Sequence, residues 1–255
     1  MTTEPDRGKL RQRRVTQPPG EADRPASDRP ESKRQGAGST RTIIRNRRHS
    51  RWLHAGIYLS TLLLLITGGW LLLGQEGNPS LLAVIAHLPD VALHKVIGWA
   101  LAGIGILAVN SWRHRVAEFV RETLRWDRGD LHWLLGWPKA VRTGRFPPHH
   151  GDFDPAQRLA NLVLVGGLIL LIVSGAGLAL VHGGPIFVWL YRIHLWVSYP
   201  VTIMIVGHVV IASGILPGYR GTWRAMHFGG RLPTEVAGRL WPHWLERQGE
   251  DRDPH

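Results

Sequence analysis

Four long apolar runs, separated by polar and strongly basic segments, set the pattern of the chain. They extend roughly from Trp52 to Gly74, Val91 to Trp112, Leu159 to Val181 and Ile193 to Leu216. Each is close to the ~20 residues with which a helix crosses a hydrocarbon core about 30 Å thick. The pattern predicts an all-α integral membrane protein, a bundle of four transmembrane helices. The bundle domain is expected over residues 41–248, with a loop over 113–158 between the second and third helices and a short tail over 249–255.

Residues 1–40 read differently. Pro18, Pro19, Pro25 and Pro30 stand among Arg, Glu, Asp and Ser with no apolar periodicity, a composition that predicts a disordered basic tail. The pair Arg13 and Arg14 is not followed by the short apolar core of an export signal.

Charge orients the helices. Of the 31 Lys and Arg residues, 14 precede the first span, 9 lie in Arg113–Arg158 and 6 follow Leu216. Lys95 and Arg192 are the two exceptions, each beside a loop at the other surface. The positive-inside rule then predicts a multi-pass protein with both termini and the 113–158 loop in the cytoplasm. The net charge of +12 suits acidic lipid headgroups. No nucleic-acid partner is expected, because no aromatic residue before Trp52 is interleaved with the basic ones. The chain has no cysteine, which excludes disulfides, thiolate-bound clusters and covalently attached c-type haem, so a redox centre here would rest on histidine.

Histidines occur inside the apolar runs. His194 and His208 are fourteen residues apart, nearly four whole turns at ~1.5 Å per residue, so both leave one helix face at depths ~21 Å apart. His54 and His94 each lie near one end of another run. With the orientation set by charge, His54 and His208 belong to the inner side and His94 and His194 to the outer side. A single imidazole in a span can be satisfied by a backbone carbonyl or an interhelical hydrogen bond. Four at matching depths point instead to two haems, each with two axial histidines. Ala55, Gly56, Gly98 and Gly207 near these histidines, with Gly68, Gly69, Gly103 and Gly105 further along, would leave room for a macrocycle, although small residues also serve close helix packing. Lys95, Arg192 and Arg51 are candidate contacts for haem propionates; for the outer two, snorkelling is the other reading. Adjacent His149 and His150, near Asp152 and Asp154, suit a proton relay better than a metal site.

These residues resemble a family: the cytochrome b (gamma) subunit of membrane-bound respiratory formate dehydrogenase, within the wider group that includes the b-type cytochrome of Ni–Fe hydrogenases. The resemblance covers about residues 41–248. It is carried by R-W-L-H-A at 51–55, L-H-K-V-I-G at 93–98, F-D-P-A-Q-R at 153–158, His194 with His208, and W-P-H-W-L-E-R at 241–247. It implies two haem b groups, the outer held by His94 and His194 and the inner by His54 and His208. It also implies an electron-transfer subunit whose primary catalytic site lies in a partner. Electrons would come from an iron–sulfur subunit fed by a molybdenum or tungsten subunit, pass through the outer and then the inner haem, and reduce a quinone (menaquinone or ubiquinone) near the cytoplasmic surface. Asp154 and Ala156 match positions that line the quinone pocket. Two departures stand out: Asp154 replaces an asparagine common in the family, so a hydrogen bond to quinone there would come from a titratable group, and Ala55 rather than tryptophan follows the first ligand. A hydrogenase cytochrome b, or the anchor of another molybdoenzyme, would share this plan. A haem-free anchor or transporter whose histidines relay protons is the reading from a different class.

Overall fold

The computed structural model describes residues 41–74 and 77–250; the 1–40 leader and residues 251–255 lie outside them. A short strand β1 (Thr42–Ile44) leads into α1 (Arg48–Leu72), and a six-residue helix α2 (Leu81–Ala86) joins it to α3 (Asp90–Ser111). The 113–158 segment folds into α4 (Arg113–Leu124) and α5 (Asp130–Thr143), then feeds α6 (Pro155–Leu180), which turns back into α7 (Gly184–Ala212). Beyond a 3-10 turn at Pro217–Tyr219 come α8 (Thr222–His227), strand β2 (Arg231–Pro233), α9 (Thr234–Leu240) and α10 (Pro242–Glu250). Four of these helices, α1, α3, α6 and α7, are long and apolar enough to cross a membrane, and the fold is an all-α membrane bundle.

Local chemistry sets the helix ends. Asp154 caps α6, its Oδ1 accepting the Gln157 N–H at 2.8 Å, and Pro155 supplies a first residue that needs no donor and has its φ already fixed. Ser80 caps α2 by accepting from the Ala83 N–H at 3.1 Å. The last span begins at Gly184 rather than near Ile193. Ile186, Phe187, Val188, Trp189 and Leu190 extend the helix with apolar side chains. Arg192 does not end it, because its head leaves the helix and lies 5.5 Å from the Trp189 ring centre.

The spans pack as two close antiparallel pairs, α1 with α3 and α6 with α7, joined through α3 and α6. Small residues permit the approach: a Cβ on Gly167 would collide with Val201, and one on Gly177 would come within 2.8 Å of Leu190. Large apolar side chains such as Leu59, Ile66, Leu107, Val173 and Ile203 face outward. Thr67, Ser174 and Val201 are among the side chains fully enclosed within the bundle. This inverts the order of a soluble bundle, as a helix surface solvated by lipid requires.

The two ends of the bundle differ. At one, short connections join α1 to α3 and α6 to α7. At the other, β1 and β2 pair antiparallel with Ile43 opposite Leu232, over a core of Ile43, Ala225, Leu232, Ala237 and Trp244. The strands tie the chain ahead of the first span to the chain behind the last. The start of α6 joins the same layer, since the Arg45 guanidinium donates to the Asp152 carbonyl at 3.1 Å. Arg45 is held 4.6 and 4.3 Å from the Trp241 and Trp244 ring centres, and burial lowers its pKa to about 10.

Candidate functional site

The four histidines of the apolar runs meet in two pairs. At the end with the short connections, His94 from α3 faces His194 from α7, with ring centres 6.3 Å apart and planes at 77°. At the end carrying the strands, His54 from α1 faces His208 from α7, with ring centres 6.2 Å apart and planes at 49°. The α7 interval between His194 and His208 separates the pairs by ~21 Å along the helix.

The His94/His194 pair is braced by the other two spans. Thr67 of α1 lies 2.8 Å from His94 Nδ1, and Ser174 of α6 lies 2.9 Å from His194 Nδ1. All four spans therefore contribute to this end. A glycine follows each hydroxyl residue: a Cβ on Gly68 would stand 3.2 Å from His94 Cε1, and one on Gly175 would stand 3.1 Å from His194 Cε1. Both rings thus lie against a backbone stripped of side chain.

Neighbours of a different kind surround the His54/His208 pair. Tyr58, one turn after His54, has its ring centre 5.6 Å from it and 6.1 Å from that of His227 at the end of α8. His54 Nδ1 is buried without a hydrogen-bond partner among the described residues. His54 is half-buried and His208 exposed. Sequence reasoning missed Tyr58, His227, Thr67 and Ser174. A signal for the last two exists in the chain, a hydroxyl–glycine step at Thr67–Gly68 and again at Ser174–Gly175, inside otherwise apolar runs.

The remaining sequence-predicted residues spread over both ends. Lys95 is exposed next to His94, and Arg192 is exposed with its guanidinium engaged by Trp189. Arg51, one turn before His54, is half-buried, and its Nε has no partner among the described residues. Asp154 is 3% exposed and serves first as the α6 cap, while Ala156 is half-buried in the first turn. Burial pushes the Asp154 carboxyl above its usual range. Gln157 ties this turn to the C-terminal segment by accepting from Trp241 Nε1 at 3.2 Å. Nearby, His149 Nε2 contacts the Leu240 carbonyl at 2.8 Å, and its Nδ1 is buried without a partner among the described residues. Arg158, 2% exposed, donates to Asp130 at 2.8 Å and to the His150 carbonyl. That network fixes the 113–158 segment against the start of α6.

The histidine pairs suit an iron atom between them. Two metal–imidazole bonds of about 2 Å each, with each ligating nitrogen about 1 Å from its ring centre, put the ring centres about 6 Å apart. Neutral imidazole is also an axial ligand that haem iron accepts. His94/His194 and His54/His208 could each hold such a group.

No curated protein matches the chain. A family model described as prokaryotic cytochrome b561 matches residues 46–229, which takes in α1 through α8 and all four paired histidines.

Proposed function

The chain belongs to the prokaryotic cytochrome b561 family, whose members bind haem b, and from that premise we propose that it is the membrane di-haem cytochrome b subunit of a respiratory formate dehydrogenase. Membership makes it a membrane b-type cytochrome of electron transfer. Two facing histidine pairs, at 6.2 and 6.3 Å and at opposite ends of one bundle, support the di-haem part of the reading.

His94 and His194 hold one haem b on the outer side, and His54 and His208 hold a second on the inner side. Bound there, the two groups supply one-electron transfer between a partner at the outer surface and a quinone at the inner one. Arg51, Lys95 and Arg192 would meet the haem propionates. Asp154 and Ala156 open α6 beside the inner layer and contribute to the quinone pocket, with the Asp154 carboxyl also capping the helix. The partners are an iron–sulfur subunit and a molybdenum or tungsten catalytic subunit of the same complex. The pairing of β1 with β2 supports a common side for the two flanks of the bundle, and the basic segments support the cytoplasmic face of an inner membrane for that side.

Membranes containing the chain supply the test. Formate is expected to reduce b-type absorption in them, and an added quinone to reoxidise it, with His94→Ala abolishing the formate response. Reduction by hydrogen and not by formate would replace this reading with that of a hydrogenase cytochrome b.

A further inference from the structure

We infer that Thr67 and Ser174 are positioning residues that fix the tautomer and orientation of His94 and His194, each hydroxyl accepting the Nδ1–H of its histidine so that Nε2 presents a lone pair. The inference rests on the reading of His94 and His194 as axial ligands.

Proton counting carries it. A hydroxyl has one proton and two lone pairs. Thr67 Oγ1 lies 2.9 Å from the Leu63 carbonyl, and Ser174 Oγ lies 2.6 Å from the Leu170 carbonyl. A carbonyl only accepts, so a hydroxyl that donates to the turn below it has no proton left for the ring. Contacts of 2.8 and 2.9 Å to His94 Nδ1 and His194 Nδ1 then need a proton from the ring. The ring nitrogen donates, and the neutral imidazole is left with its lone pair on Nε2.

The arrangement occurs twice with the same parts. In α1 and in α6 the hydroxyl is also close to the carbonyl three residues back, at 3.4 Å to Leu64 and 3.3 Å to Leu171. In both, the following glycine admits the ring edge. Thr67 is 0% and Ser174 2% exposed, so water does not substitute as acceptor. In the other pair His54 lacks this brace, since among the described residues its buried Nδ1 has no partner. A ligand histidine that donates its second N–H is a stronger electron donor and is held in one orientation, which favours the ferric state and lowers the potential of the group it binds. The hydroxyls therefore act on one haem site and leave the other alone.

Thr67→Val and Ser174→Ala remove the acceptors at nearly constant shape, while Thr67→Ser and Ser174→Thr keep them. On the purified full chain, haem-to-protein ratio and a spectroscopic redox titration are measured for all four. Each hydroxyl-free variant is expected to move the same one of the two b-type midpoints upward and leave the other in place, with the hydroxyl-retaining variants matching the parent. Loss of one haem in Thr67→Val but not in Thr67→Ser would support the same role. Unchanged midpoints at full haem content would overturn the inference, as would haem loss in Thr67→Val and Thr67→Ser alike. If His94→Ala keeps both haems, the ligand assignment itself fails, a result distinct from either.

Discussion

His54 on α1 and His208 on α7 face each other with ring centres 6.2 Å apart, although they come from the first and last spans of the bundle. Two helices that enclose the other pair in sequence are thus brought together at one end, and a single helix, α7, supplies a histidine to each end. Replacing His54 or His208 by alanine is expected to halve the haem content, with the remaining group held by His94 and His194. Haem-to-protein ratios of the purified variants check this. Full content in both would contradict the pairing.

The close approach of glycine to the imidazoles has its own consequence. A Cβ on Gly175 would lie 3.1 Å from His194 and one on Gly68 3.2 Å from His94, tighter than an ordinary contact, so the rings must shift. Gly68→Ala and Gly175→Ala should perturb the His94/His194 site alone, seen as a change in one b-type absorption component. Gly129→Ala, where a Cβ meets nothing within 4 Å, should leave the spectrum as it was.

Much of this bundle is legible in the chain. The four apolar runs, the segregation of basic residues and the His194–His208 interval all depend on local composition and helical period, which lipid does not override. The start of α7 is not legible in the same way. Pro185 and Arg192 suggest a loop, yet proline is accommodated in a first turn and an arginine head can leave the helix for Trp189. The β1–β2 pair is only three residues long on each side, too short to leave a period. Thr67 and Ser174 look like hydroxyls that bond their own helix, and only the neighbouring helices reveal the second contact.

Asp154 gives a pH dependence. Burial raises its pKa, so the folded state keeps the proton to higher pH than the unfolded chain does. The associated stability is fully present below the unfolded value of about 4 and is lost as pH rises through the folded value. Asparagine also caps a helix, so Asp154→Asn should keep the cap and gain stability relative to the parent as pH rises above about 4. Asp154→Ala should instead cost about 1 kcal/mol through the lost cap. Thermal unfolding followed by circular dichroism across that pH range distinguishes the two. A parallel course for parent and Asp154→Asn would contradict the assignment.

Arg158 is paired with Asp130 at 2.8 Å, and the two side chains are 2% and 5% exposed. Arg158→Met leaves the carboxylate buried without its cation and should destabilise the fold by about 3–5 kcal/mol. Adding Asp130→Asn to that variant should recover part of the loss. Unfolding midpoints of the single and double variants test the coupling, and equal midpoints would show that the ion pair has no structural weight.

One chain of this cytochrome b561 family is expected to carry a haem at each end of its bundle. Haem b per polypeptide in the purified full-length protein tests it most directly. Two are expected, falling to one in His94→Ala and to one in His208→Ala. A single haem in the parent, or none, would contradict it.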